Sequence, residues 1–305
     1  MEAALIETTY GSDGLAMQGT LLLDEAMAKH TSWRTGGKAD RYYIPADLED
    51  LSLFLSQLND EEEILWLGLG SNLLVRDGGI KGTVIASSGV LNEMSLQSPN
   101  IRVGAGLPCA KAARFSASNG LSGAEFLAGI PGTIGGALAM NAGAFGGEMW
   151  DIVSSVETIN RRGERRIRQV DEFETAYRYV NIDIDEWFVS ANLVLRNDNK
   201  QIARSNIREL LAQRSASQPI GEPSCGSVFR NPEGDYAGRL IEACGLKGKS
   251  IGGASVSEKH ANFIINKGNA TAADIEKLIL HIQETVEAKH HVLLQTEVRI
   301  AGNSK

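Results

Sequence analysis

In this 305-residue chain, the residue types best suited to chemistry sit in PSCGSVFRNP, 223–232. Gly226 permits a sharp turn that exposes the Ser227 hydroxyl, and Arg230 and Asn231 supply a cation and an amide close by. This is not a G-x-S-x-G elbow, and no Ser-His-Asp set is evident, so Ser227 is a poor hydrolase nucleophile. It suits a positioned proton donor, provided the acceptor is basic enough to take a proton from so weak an acid. Cys225 reads as a small buried side chain. The second candidate is AGIPGTIGGALAMNAGAFGG, Ala128–Gly147, with seven glycines, one proline, one asparagine and no charge. Backbone this free of side chains runs close to a large ligand, and a phosphate there would be held by N–H groups alone. The run is as long as a membrane span, but its Gly/Pro interruptions and Asn141 argue against one.

Other nucleotide and metal signatures fall away. GLGSNL (68–73) and GAGLPC (104–109) each follow a predicted strand but lack the third glycine of a dinucleotide fingerprint. Gly248-Lys249-Ser250 imitates a Walker A ending, but Ala243 stands where its first glycine belongs. Five histidines without H-E-x-x-H or a Cys/His cluster give no metal site. What remains is a strand followed by G-x-G-S-N, a turn able to present amides and the Ser71 hydroxyl to a phosphate.

The elements that must position these residues are legible in outline. DLEDLSLFLSQL from Asp47 reads as a capped amphipathic helix, 63–70 and 82–87 as strands, 101–108 as a strand entering a glycine turn, and 109–119 as a helix stopped by Gly120. Alternating strands follow over 152–160, 164–170 and 185–196, the first two joined by a turn at Arg162-Gly163. Helices are expected over 204–214 and 271–290. The second is capped by Thr271 and Asp274 and carries a stripe of Ile275, Leu278, Ile279, Ile282 and Val286. HVLLQTEVRI, 291–300, alternates as a last strand with Glu297 on its polar side. The first residues are polar and expected to fray, with no signal peptide, and the fold is expected to begin near the LLL at 21–23.

Composition sets the class. A hydrophobic fraction of 43% with 22% charged residues is that of a globular protein, and a net charge of −8 argues against nucleic-acid binding. Three scattered cysteines form no disulfide framework and suit a reducing, cytoplasmic compartment.

Taken in order, HTSWRTGGKAD (30–40), GLGSNLL (68–74), GIPGTIGGALAMNAGAFGGE (129–148), AYRY (176–179), PSCGSVFRNP, SEKHANFIIN (257–266) and QTEVRI resemble the UDP-N-acetylenolpyruvoylglucosamine reductase family. They do so over nearly the whole chain. The compact stretch from Arg178 to Trp187 is similar to the shorter of the family's two structural types. The resemblance implies an α+β chain: a two-subdomain FAD-binding fold of the vanillyl-alcohol-oxidase/PCMH type over 1–88 and 89–200, and a C-terminal α+β substrate domain over 201–305. It implies non-covalent FAD, since neither glycine turn holds a His or Cys, with NADPH as hydride donor and UDP-N-acetylglucosamine enolpyruvate as substrate. The activity implied is the flavoprotein oxidoreductase step of peptidoglycan precursor synthesis, free of membrane or nucleic-acid partners.

By the same resemblance, Ser227, Arg178 and Glu297 occupy the catalytic positions. Gly68, Gly70, Ser71, Asn72, Leu73, Gly129, Pro131, Gly132, Gly135, Gly136, Asn141, Gly143 and Ala144 fall on the cofactor, and Tyr177, Arg230, Asn231 and His260 on the substrate. The set is chemically coherent. Hydride added to C3 of the enolpyruvyl group leaves charge at C2 that spreads into the carboxylate, which a guanidinium can pair. The strongly basic C2 carbanion is an acceptor that even a serine can protonate. Residues 214–222 lack the lysine that some members use for the substrate phosphates, leaving Arg230 or Lys259 for that duty. The competing expectations are an FAD oxidase of the same superfamily and a non-catalytic sugar-nucleotide binder.

Overall fold

The computed structural model describes residues 17–305 and the backbone of the short strand Leu5–Ile6. The expected fraying, and the absence of a signal peptide, concern residues that lie mostly outside those described. The chain forms two compact units, Met1–Leu23 with Arg41–Leu69 and Gly82–Arg214, and Asp24–Asp40 with Gly70–Lys81 and Ser215–Lys305. Each is built from discontinuous segments.

In the first unit the expected helix runs from Leu48 to Ser56, where the Asp47 carboxylate accepts the Asp50 N–H at 2.8 Å. Asp50 itself turns inward. Its carboxylate accepts from Tyr43 Oη (2.5 Å), Gln18 N (2.7 Å) and Ala46 N (2.9 Å), so this acidic residue of the first turn is a buried tie. The strand Ile64–Leu67 runs parallel to Ile80–Ala86, and the glycine turn follows its C-terminal end. A second, antiparallel sheet orders Arg165–Gln169, Val153–Asn160, Glu186–Leu193, Asn100–Gly104 and Met94–Gln97 from edge to edge. Its inner face packs on the helix Cys109–Ser118, which ends, as its sequence requires, at Gly120 with φ +73°.

The glycine-rich segment holds an element its composition conceals. Ile134–Ala139 is a short helix, although two glycines at about 1 kcal/mol each oppose it. Tertiary bonds outweigh that cost. Thr133 Oγ1 accepts the Gly136 N–H, and the Ile134 and Gly135 amides donate to Leu107 O (2.9 Å) and Ala105 O (2.7 Å). Gly135 allows this closeness, since a Cβ would stand 2.9 Å from Ala105 Cβ. A small hairpin, Gly143–Ala144 with Gly147–Glu148, follows.

The second unit has its own core of Trp33, Leu74, Val228, Phe229, Leu240, Ile241 and the helix Ala272–His290. The predicted apolar stripe of that helix is wholly buried, and Thr271 with Asp274 forms the reciprocal cap. The segment 291–300 corrects the sequence expectation. Leu294 and Val298 are buried as the alternation requires, but only Arg299–Ala301 is a strand, parallel to Leu73–Val75. Residues 295–298 instead bond residue by residue to 228–230, a partner too short to make a ladder. The helix expected at 204–214 extends over Lys200–Ser217.

Candidate active site

In the second unit, Ser227 follows Gly226, whose φ of +75° makes the turn anticipated from sequence. The residues after it are clamped from two sides. Val228 N donates to Asn262 O (2.9 Å), Phe229 N to Asn262 Oδ1 (3.0 Å), and Asn262 Nδ2 returns a bond to Phe229 O (2.8 Å). On the other side Glu297 N donates to Val228 O (2.8 Å) and Arg230 N to Gln295 O (2.9 Å). Asn262, 3% exposed, was not singled out from sequence although it lies inside SEKHANFIIN. An asparagine two residues beyond His260 carries no signal until its three bonds to another loop are seen. The Ser227 hydroxyl has no hydrogen-bond partner among the described residues, whereas the backbone beneath it is fixed.

Glu297 is brought beside this turn by the same bonds, and Asn72 of the G-x-G-S-N turn secures it further. Asn72 Nδ2 donates to Glu297 O (3.0 Å), and Arg299 N donates to Asn72 O (3.0 Å). Cys225 is buried, its thiol directed at Gly70 O (3.6 Å) and Leu73 O (3.5 Å), and burial pushes its pKa up to about 12. That is a packing residue, and a poor nucleophile.

The substrate candidates differ in what they already hold. Arg230 Nε is buried with no partner among the described residues, an expensive state for a cation in a finished protein and a reason to look for an anion. Lys259 Nζ instead donates to Ser215 O at 2.5 Å and is exposed. Asn231 Oδ1 accepts the Ala237 N–H (3.1 Å). His260 Nδ1 accepts from Asn262 N (3.2 Å), and burial lowers its pKa, so the ring is neutral near pH 7.

In the first unit, Arg178 stands at the tip of the hairpin Thr175–Ala176 and Tyr179–Val180, in left-handed backbone with φ +56°. Its side chain is 14% exposed. Its Nη1 donates to Asn141 O (3.2 Å) and its Nη2 to Gly143 O (3.1 Å), with the guanidinium 4.9 Å from the centre of the Tyr177 ring. Val180, two residues on, is buried in the core and anchors the hairpin, while Tyr177 is exposed.

The glycine turns fit a flavin dinucleotide by their donor sets. In the first unit the N–H groups of Gly68, Gly132 and Thr133 have no acceptor among the described residues. A Cβ at Gly68 would stand 2.4 Å from Thr133 Oγ1, so no side chain can occupy that approach. In the second unit the Gly70 and Ser71 amides are equally without acceptors among the described residues, and a Cβ at Gly70 would strike His30 O. Neutral, preorganised amides of this kind suit a diphosphate. The Gly135 and Gly136 amides are already satisfied within the protein. Gly129 makes room for the Phe145 ring, which would lie 2.4 Å from an added Cβ, and exposed Pro131 together with Leu73 and Ala144 completes the two loops. Among the described residues no three His, Cys, Asp or Glu side chains are grouped to hold a metal, and no helix is long and apolar enough to cross a membrane.

The FAD binding domain family matches residues 39–167. Fold and glycine turns together thus define an FAD-binding flavoprotein. The family described as UDP-N-acetylenolpyruvoylglucosamine reductase, C-terminal domain, matches residues 218–301. The chain is 60% identical over 289 residues to the UDP-N-acetylenolpyruvoylglucosamine reductase of Legionella pneumophila (strain Lens), covering 94% of both chains. It is 52% identical to that of Coxiella burnetii, over 94% of this chain and 98% of the other. The crystal structure of UDP-N-acetylenolpyruvylglucosamine reductase from Thermus caldophilus superposes with a TM-score of 0.78 at 32% identity, over 93% of this chain and 99% of that one. The chain belongs to the UDP-N-acetylenolpyruvoylglucosamine reductase family.

Proposed function

We propose that this chain reduces UDP-N-acetylglucosamine enolpyruvate to UDP-N-acetylmuramate at the expense of NADPH, the reduction step in peptidoglycan precursor synthesis. The observation that carries the reading beyond family membership is the Ser227 hydroxyl, without a partner among the described residues on a backbone clamped by Asn262 and Glu297. A half-buried hydroxyl without a partner among the described residues is available to a ligand. In this reading FAD is held non-covalently by the turn at Gly68, Gly70, Ser71, Asn72 and Leu73 and by the segment from Gly129 to Ala144. When bound it supplies the hydride, received from NADPH, that reaches C3 of the substrate.

The protein's own residues then manage charge and a proton. Arg178 pairs with the enolpyruvyl carboxylate and stabilises the charge that flows into it as C2 becomes carbanionic. Ser227 Oγ gives its proton to C2, completing the lactyl ether, and regains one from solvent. Glu297 is the third catalytic position, fixed at its backbone to both the serine turn and Asn72. Arg230, with its unsatisfied buried Nε, takes the substrate diphosphate in preference to Lys259. Tyr177, Asn231 and His260 line the substrate. The cytoplasm is the compartment we assign, since the three cysteines are unpaired and buried and NADPH is a cytoplasmic reductant.

The test is direct. Purified protein should be yellow, acid precipitation should release all of its flavin into the supernatant, and NADPH oxidation should require the enolpyruvyl substrate. Colour left in the pellet would refute non-covalent attachment. Rapid NADPH oxidation with oxygen alone as acceptor would make the protein an oxidase, and a colourless protein would end the enzyme reading.

A further inference from the structure

The glycine-rich segment does more than approach a cofactor, because its far end is a socket around Arg178. Two backbone carbonyls of the segment, Asn141 O and Gly143 O, accept from the guanidinium, and Glu148 Oε1 stands 3.8 Å from Nη1. The Asn141 carboxamide, 3% exposed, is engaged three times. Its Oδ1 accepts the Trp150 N–H (3.1 Å), and its Nδ2 donates to Glu148 Oε2 (2.8 Å) and to Ala176 O (3.1 Å). One side chain therefore fixes both the carboxylate that faces the guanidinium and the hairpin that carries Arg178. Although Asn141 sits among the cofactor residues of the motif, its side chain is committed to the protein.

Two further features fit the same purpose. A Cβ at Gly143 would stand 3.2 Å from Arg178 Nη1 and 2.6 Å from Gly147 O, so glycine there is what lets the guanidinium in. Asn141 (φ +45°) and Arg178 (φ +56°) both occupy the left-handed region, strain that persists only where surrounding contacts over-determine it. Bidentate pairing with a carboxylate demands a fixed guanidinium plane, and two carbonyls and a carboxylate define one.

We propose that Asn141 and Glu148 are positioning residues for Arg178. Glu148 is a resident carboxylate that helps orient the guanidinium and yields to the substrate carboxylate, and Asn141 is the clamp that sets both. This rests on the reading of Arg178 as the partner of that carboxylate. A resident carboxylate competes with the incoming one, so its removal has two opposite consequences. Substrate binds more tightly, because one carboxylate that competes for the guanidinium is gone, but reacts more slowly, because the plane is less well fixed. Simple structural damage would worsen both.

Glu148→Gln preserves an acceptor for Asn141 Nδ2 while removing the charge. Calorimetric titration of the oxidised protein should show substrate Kd falling roughly threefold, the scale of a partly exposed ion pair. Rapid-mixing measurement of flavin reoxidation by substrate should show a rate about tenfold lower, the coupling expected of side chains in one network. In an Arg178→Lys background, which keeps a cation but has no plane to fix, the effect of Glu148→Gln on reoxidation should be lost. Asn141→Asp sets a second carboxylate against Glu148 and should slow reoxidation, with partial recovery on adding Glu148→Gln. The proposal is overturned if Glu148→Gln leaves both quantities unchanged, or weakens binding and slows flavin reduction by NADPH in parallel. It is also overturned if the effect of Glu148→Gln on reoxidation is undiminished in the Arg178→Lys background. An Arg178→Lys variant that is itself silent would instead bring down the underlying reading of Arg178.

Discussion

Replacing Ser227 by alanine isolates a single proton. The hydroxyl has no hydrogen-bond partner among the described residues, so its removal strands no buried group, and the change in stability should stay within about 0.5 kcal/mol. The bonds that shape the turn belong to Val228, Phe229, Asn262 and Glu297 and survive, as does the positive φ of Gly226. Flavin content should be that of the wild type, and NADPH should bleach the flavin at nearly the wild-type rate, because no proton from Ser227 enters that half-reaction. Reoxidation by the enolpyruvyl substrate is where the loss must appear. A general acid contributes ~10²–10⁴ in rate, and water is a poor substitute at a half-buried position, so the reduction should reach at least the upper part of that range. A thousandfold loss corresponds to about 4 kcal/mol. Ser227→Cys should recover part of it, since a thiol is the stronger acid. The assay is rapid mixing of pre-reduced protein with substrate, followed by flavin absorbance. Equal losses in bleaching and reoxidation would make Ser227 a structural residue, and an unaltered reoxidation rate would place the donor elsewhere.

Arg178→Lys should lower the reoxidation rate by roughly 30- to 1,000-fold, about 2–4 kcal/mol, with a smaller change in substrate Kd, because an ammonium cannot reproduce two parallel N–H bonds. An unchanged rate with a weakened Kd would make it a binding residue only. Arg230→Met removes the buried Nε that lacks a partner, so thermal stability should hold or rise while substrate Kd increases about 10- to 100-fold, the worth of a charge-assisted bond; an unaltered Kd in titration would exclude Arg230 from the diphosphate. Glu186 provides a pH test of the fold. Burial pushes its carboxyl up, but hydrogen bonds from Arg166 and Thr158 and the charge of Arg168 outweigh this and bring it from 4.5 down to about 2. Its stabilisation is therefore complete above pH 4.5 and is lost as pH falls through about 2. Denaturant titrations of Glu186→Gln should show a loss of about 3 kcal/mol at pH 7 that shrinks between those pH values, whereas a difference independent of pH would mean the loss is one of packing.

Much of this protein was determined by local sequence. The helix Ala272–His290 could be drawn from Thr271, Asp274 and a five-residue stripe, because caps and a 3.6-residue period are properties of neighbours in the chain. The turn at Gly226 and the stop at Gly120 were equally legible, since each depends on one residue's freedom to adopt positive φ. The strings that carry Ser227, Arg178 and Glu297, the residues we propose for catalysis, were legible too, each being short and local in the sequence. Other features waited on contacts between distant parts of the chain. Ile134–Ala139 is a helix only because Thr133, Leu107 and Ala105 satisfy its first amides, against the preference of its own glycines. Residues 291–298 alternate like a strand yet have no ladder, because their partner is the three-residue stretch beside Ser227. Asn262, Asn141 and Glu148 lie within the recognisable strings, but nothing in those strings shows which groups their side chains bond. Their importance comes from the buried groups they bond, Asn262 at 228–229 and Asn141 at Trp150, Ala176 and Glu148. Sequence supplied the chemical groups, because a hydroxyl, a guanidinium and a carboxylate are properties of residue type. Only tertiary structure decided which of them are held still and by what, because a hydrogen bond spanning 33 or 35 residues is fixed by the packing of the whole unit and leaves no local trace.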